Sequence, residues 1–290
     1  MLIVDAQVHI WAAHTPERPW PAWAIGTPER PRNLAHRPVP FSKDDLLREM
    51  DAADVNRAVI IPPSFEGDRN DVGLTAARLH PDRFAVMGRI EGRLDNNTPG
   101  ARAQVAAWRK QPGMLGLRLT FRAKPFRPML AEGRTNWLWA EAEKAHVPVM
   151  VMVDHEQVPF IDEIAQRHPA LKLIMDHLCL ASGQKDEEAF AGLDKVLALA
   201  RLSNIAVKAS ALPCYTGDSY PYRRLHPYLR RVFDAFGPQR MFWGTDFTRL
   251  PCSYRQAVIM FTEEIPWLTA QDKEWIMGRG LCEWIGWTLP

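Results

Sequence analysis

Eight short apolar runs, separated by segments of helical period, constrain this chain more than any other feature of its sequence. They are LIVDAQVH (2–9), RAVIIP (57–62), FAVMGRI (84–90), GMLGLRLTF (113–121), VPVMVMVDH (147–155), KLIMDHL (172–178), IAVKASAL (205–212) and MFWGTDF (241–247). Near-continuous Val, Ile, Leu and Met is what a parallel strand buried on both faces requires. The intervening stretches, FSKDDLLREMDAADV and TNWLWAEAEKAH among them, repeat apolar residues at three and four positions, the spacing of a helix packed on a sheet. Ser42 is placed to cap the first of these helices with Asp45 three residues on, and Gly237-Pro238 stops the last before the eighth run. Strict alternation means a parallel sheet with right-handed crossovers. Eight such units in 290 residues predict one closed (β/α)8 TIM barrel over the whole of 1–290. A doubly wound sheet is the lesser alternative, since no GxGxxG turn follows the first run.

One stretch breaks the pattern. Residues 11–40, WAAHTPERPWPAWAIGTPERPRNLAHRPVP, have neither period and are crowded with Pro, Trp and Arg. They form the first βα loop, at the catalytic end of a barrel. Trp11, Trp20 and Trp23 carry too much apolar area to be left in water, so an ordered flap is expected, its indoles turned toward the cavity or a neighbouring subunit.

Composition enters as a set of exclusions. With 36 Lys and Arg spread among 34 acids there is no basic run to hold nucleic acid. The start of the chain lacks the pattern of a secretory signal, and no apolar run is long enough for a bilayer, so a cytoplasmic protein with no membrane partner is expected. Cys179, Cys214, Cys252 and Cys282 lie far apart, which speaks against a structural zinc site or a disulfide framework. The partner is then a small molecule. A homo-oligomer is compatible with all of this.

Barrels of this kind do their chemistry at the carboxyl ends of the strands. Those ends carry Gln7 and His9, Arg118 and Arg122, Asp154 and His155, Asp176 and His177, Lys208 and Ser210, and Asp246. The alternation in DAQVH sets Asp5, Gln7 and His9 on one face. Asp246, on a strand of Met, Phe and Trp, is costly to bury unless paired or used, and is the first catalytic candidate. His177 and His9 follow. Lys208, between Val207 and Ala209, is either paired with a barrel carboxylate or aimed at an anionic substrate, and Arg118 adds a fork suited to a carboxylate. Gln7, Arg122, Ser210 and Trp11 complete the expected substrate-binding set. His14, His36, His80, His146, His168 and His226 read as helix or loop residues and are set aside.

DAQVHIW at the first strand, IMDHL at the sixth, VKAS at the seventh and FWGTDF at the eighth together resemble the amidohydrolase superfamily, in the branch of lactone hydrolases such as pyrone-dicarboxylate lactonase, sugar-lactone hydrolases and aromatic-acid decarboxylases. The resemblance covers essentially the whole barrel. It implies a hydrolase acting on a small carboxylated lactone or similar ester, with Asp246 as the base for water and His9 and His177 polarising the carbonyl. A metal-dependent aromatic-acid decarboxylase and an inactive ligand-binding barrel are the alternatives. The chain departs from the family at Gln7, which stands where the first His of HxH is expected, and an amide is a poor ligand for a transition metal. The cofactor expectation is therefore none or one divalent ion, zinc first, on His9, His155 and Asp246. The metal-free case is favoured because Arg118 and Lys208 already supply positive charge.

Overall fold

The structure is a computed structural model that describes residues 1–27, 30–31, 35–90, 92 and 94–289; positions 28, 29 and 32–34 of the expected first loop lie outside the described residues. All eight apolar runs form strands: β1 (Val4–Val8), β2 (Arg57–Ile60), β3 (Phe84–Gly88), β4 (Met114–Thr120), β5 (Val149–Met152), β6 (Leu173–Met175), β7 (Ile205–Ser210) and β8 (Met241–Gly244). They lie side by side in chain order, each pair parallel. Helices α1 (Lys43–Ala52), α2 (Asp71–Leu79), α3 (Pro99–Ala106), α4 (Asn136–Lys144), α5 (Val158–Arg167), α6 (Leu193–Ala198), α7 (His226–Phe236) and α8 (Tyr254–Thr262) follow the strands in turn. The result is the expected (β/α)8 barrel. Ser42 caps α1 in a full capping box with Asp45, as its sequence implies. No helix among the described residues is long and apolar enough to cross a membrane.

The barrel interior is layered by the two-residue strand period. Val4, Ala6, Val59, Met87, Met150, Ile174, Ala206 and Phe242 fill the lower layer, sealed from below by Leu281, Cys282 and Ile285 of the helix Gly280–Ile285. Two residues further along the same strands come Arg118 after Gly116, Asp176 after Ile174, Lys208 after Ala206 and, one step higher, Asp246 after Gly244. A polar layer thus sits directly on an apolar floor.

The seam between β1 and β8 corrects the sequence reading of DAQVH. The register of β1 against β2 shifts between Asp5 and Val8. That irregularity breaks the simple alternation, so Asp5 does not share a face with Gln7 and His9. Its carboxylate instead staples the seam. Oδ1 accepts from the backbone amides of Gln7 and Thr245, each at 2.9 Å, and Oδ2 accepts from the Thr245 hydroxyl and from Tyr254 Oη at 2.7 Å. One further bond, Asp246 N–H to Gln7 O at 2.8 Å, closes the barrel wall above it. Burial pushes the Asp5 carboxyl up to about 6 in spite of these four donors. Asp5→Ala strands two amides and two hydroxyls in a dry seam, and a loss of about 3–5 kcal/mol in urea unfolding is expected. A loss below about 1 kcal/mol would show that water or a neighbour replaces the staple.

Candidate active site

A cavity of about 220 Å³ opens at the carboxyl end of the barrel, lined by Gln7, His9, Arg118, Arg122, His177, Asp246 and Arg249, with His36 and Phe65 arriving from loops. A wider groove of about 950 Å³ lies at the opposite end, where Arg83 is paired with Asp51 and Arg57 donates to the Asp82 and Thr288 carbonyls. Only the first gathers converging polar groups at the end where barrels act.

Two residues of the site stand in strained backbone. His177 (φ 51°) and Asp246 (φ 54°) both occupy the left-handed region, where a non-glycine residue costs about 1–2 kcal/mol. Each follows the last residue of its strand or the one after, and the turn directs its side chain back over the barrel mouth rather than out to the helices.

Beneath the cavity runs a chain of bonds that orients its amide and imidazole groups. Fully buried Lys208 pairs through Nζ with Asp176 Oδ1 at 2.7 Å and donates to Gln7 Oε1 at 2.5 Å, while Arg118 Nε donates to Asp176 Oδ2 at 3.1 Å. Burial alone would raise the Asp176 carboxyl, but the two cations outweigh it and hold it down at about 2. An ammonium only donates, so the oxygen of Gln7 faces Lys208 and its NH₂ is turned to the imidazoles, 3.1 Å from His177 Nε2 and 3.5 Å from His9 Nε2. An NH₂ only donates as well. His177 therefore presents a lone pair at Nε2 and gives its Nδ1 proton to Ser210 Oγ at 2.8 Å, while His9 must carry a proton at Nδ1 for the Ile61 carbonyl at 2.6 Å, so that Nε2 is the lone-pair nitrogen of its neutral ring. Burial lowers the His177 ring to about 3, in keeping with a neutral imidazole.

Several expectations change on this geometry. His9 and His177 are acceptors at Nε2, so they do not polarise a carbonyl by donating to it. Lys208 and Ser210 are absent from the cavity lining: the lysine's charge is neutralised by Asp176, and the serine positions His177. Of the two cations on which the metal-free expectation rests, Lys208 is thereby removed, while Arg118 still lines the cavity. His155 stands away from the site, its Nε2 donating to the Leu178 carbonyl at 3.1 Å and its ring against Gly192, where a Cβ would lie 2.4 Å from ring atoms. The cause is local, because β5 ends at Met152 and Asp154 caps the next turn, which rotates His155 into the helix layer. Trp11 is buried under the loop against Phe65 and Phe41 rather than on the cavity; Trp20 stacks on Phe65, and Trp23 is exposed.

The sequence reading passed over two residues. Arg249, three positions after Asp246, donates through Nη1 to Asp246 Oδ2 at 3.2 Å. His36, from the far end of the long loop, stands edge-on to His9 with ring centroids 5.1 Å apart and bonds Thr248 Oγ1 through Nδ1 at 2.7 Å. The spacing of Arg249 to Asp246 was a usable signal, whereas nothing in a loop without period marks His36.

Asp246 is the centre of the charge balance. Burial opposes its ionisation, yet its carboxyl is held below the usual range, and with both imidazoles neutral the cation beside it is the Arg249 guanidinium. Oδ2 takes the Arg249 bond, and Oδ1 is buried and accepts no hydrogen bond among the described residues. Its neighbour is His9 Nε2 at 3.2 Å. His9, His36 and Asp246 each bring one ligand atom to within 4.8 Å of the other two, an N,N,O set of the kind zinc accepts. A buried carboxylate oxygen without a donor fits a cation there.

A family model described as "Amidohydrolase" matches residues 4–279. The chain is 24% identical over 258 residues to an L-fucono-1,5-lactonase of Burkholderia ambifaria, an alignment spanning 84% of this chain and 79% of that protein. It superposes on an amidohydrolase of Burkholderia multivorans crystallised with bound zinc at a TM-score of 0.79, with 21% identity and 100% of both chains covered. A probable 2-pyrone-4,6-dicarboxylic acid hydrolase of Acinetobacter baumannii, crystallised with citric acid, superposes at 0.75 with 15% identity, over 99% of this chain and 100% of that one. The two superpositions establish the shared fold.

Proposed function

The chain belongs to the amidohydrolase family, and from that premise we propose that it hydrolyses a small carboxylated lactone to the open hydroxy acid. One observation carries the substrate class: the guanidinium groups of Arg118, Arg122 and Arg249 line one small cavity, and although Asp176 and Asp154 pair with the first two, Asp246 is the only carboxylate among the described lining residues. The lactonase and hydrolase names of the relatives support the reaction type.

The roles follow from which donors are already engaged. Arg122 bonds the Val153 and Leu180 carbonyls and faces Asp154, and so shapes the wall. The Arg249 guanidinium makes a single hydrogen bond, Nη1 to Asp246, among the described residues, which leaves the rest of its fork to take the substrate carboxylate. A water beside Oδ1 of Asp246 gives its proton to that carboxylate as its oxygen bonds the lactone carbonyl carbon. Arg118, positioned by Asp176, faces the oxyanion that develops. The ring C–O bond then breaks, and the proton on Asp246 passes to the leaving alkoxide. The low affinity of Asp246 for protons favours this second transfer. His9 and His177, held as acceptors by Gln7, orient the water rather than the carbonyl.

The test is a matched pair of substrates, a carboxylated lactone and its methyl ester, with wild type and Arg249→Gln. A charged hydrogen bond of about 1.5–3 kcal/mol predicts a loss of roughly 10–100-fold in kcat/KM on the acid and a much smaller one on the ester. Equal losses on both would remove Arg249 from substrate recognition. Release of CO₂ from an aromatic acid, with no lactone turned over, would favour the decarboxylase reading instead.

A further inference from the structure

We infer that His36 of the long first loop joins His9 and Asp246 to form a divalent-metal site, so that this chain draws from a loop the ligand that Gln7 does not provide. The argument begins with Gln7. Lys208 holds its oxygen, and the amide therefore turns only N–H groups toward the cavity, a face with no lone pair to give a metal. Gln7 is excluded as a ligand by its orientation as well as by its chemistry.

What remains around that point is a cluster of acceptors. With its proton on Nδ1 for Ile61, His9 presents a lone pair at Nε2, and 3.2 Å away lies Asp246 Oδ1, buried with no hydrogen bond among the described residues. Two acceptors at that distance in a dry site repel unless a cation joins them. The separation is close to the edge of a tetrahedral zinc site, about 3.3 Å for bonds of about 2.0–2.1 Å. His36 supplies the third vertex. With its Nδ1–H donated to Thr248 Oγ1, its Nε2 carries a lone pair, and the arrangement is the usual one for a ligating imidazole whose other nitrogen is held by a hydrogen bond. The three ligand atoms fall within 4.8 Å of one another, so His36 has to move inward by roughly 1–1.5 Å to complete a regular site. The fourth position faces the cavity and stays open.

The loop is built to hold that residue in place. Trp11 packs edge-on against both His36 and Phe65, and Arg18 bonds Glu66 and Asp71, tying the loop to the β2–α2 connection. Thr248 comes from the β8 loop, so one hydrogen bond joins the first and last strand ends across the site.

The site is tested by metal binding, with no substrate present, so failure here leaves the lactone reading standing and failure of that reading leaves this one. Chelator-stripped full-length protein is titrated with Co²⁺, followed by its visible absorption band and by calorimetry, and then displaced with Zn²⁺. Wild type is expected to bind one cobalt per chain and release it to zinc. His36→Gln is expected to lose the band or bind at least about tenfold more weakly, while His155→Gln binds as wild type. Thr248→Val leaves the aromatic packing of His36 intact and is expected to weaken binding by about tenfold, which separates ligand loss from a disturbed loop. Near-UV circular dichroism of each metal-free variant checks the fold. Absence of stoichiometric binding by wild type overturns the site. Wild-type affinity in His36→Gln, or an equal loss in His155→Gln, overturns the ligand set.

Discussion

Asp246→Asn is expected to lower kcat/KM for lactone hydrolysis by about a thousandfold while the melting temperature stays close to wild type. The amide keeps an oxygen for the Arg249 fork and offers an NH₂ to the lone pair of His9 Nε2, so the buried environment is satisfied without the charge. What disappears is the group that takes a proton from water and returns it to the leaving oxygen. Loss of a positioned base and acid accounts for a factor of this size, and one residue fills both roles here. Because His9 and His177 face the cavity as acceptors, neither offers a ready substitute. The measurement is steady-state hydrolysis by the purified variant, with circular dichroism as the check on folding. A variant that keeps a tenth or more of wild-type activity would remove Asp246 from the centre of the mechanism.

The second large effect falls on stability. Lys208→Met keeps the length of the side chain and its apolar stem but removes the ammonium that pairs with Asp176 and orients Gln7. Removing one partner of a fully buried pair leaves an uncompensated charge, and a loss of about 3–5 kcal/mol at neutral pH is expected. The pH dependence gives the cause away. In wild type the Asp176 carboxyl lies at about 2, below its value of 3.8 in the unfolded chain, so its contribution is fully present above about 4 and is lost as pH falls toward 2. In the variant, burial is opposed by Arg118 alone and the folded value rises above the unfolded one. Acidification then favours the folded variant, and urea unfolding between pH 7 and pH 5 should show its deficit shrinking. A deficit that is constant with pH would place the damage in packing rather than in the unpaired carboxylate.

Strand order, barrel closure in chain order and the end of the barrel that carries polar residues were all legible in the sequence. Each rests on a local period that survives whatever the tertiary structure does. The N-cap at Ser42 and the strand-end positions of His9, His177 and Asp246 were legible for the same reason. The role of each polar residue was not. One register shift in β1 separated Asp5 from Gln7, turning an apparent site acid into the staple of the barrel seam. A cap at Asp154 turned His155 outward. Lys208 and Asp176 lie on adjacent strands, yet only the assembled barrel shows that they neutralise each other, and that pairing sets the orientation of Gln7 and the tautomers of two histidines. His36 lies 27 residues from His9 and 210 from Asp246 in sequence, and a loop without period carries no signal of where it returns. The sequence determined which backbone was built, because periodicity is read residue by residue; the tertiary structure decided which lone pairs and protons meet at its mouth, because those depend on register and loop closure among distant segments.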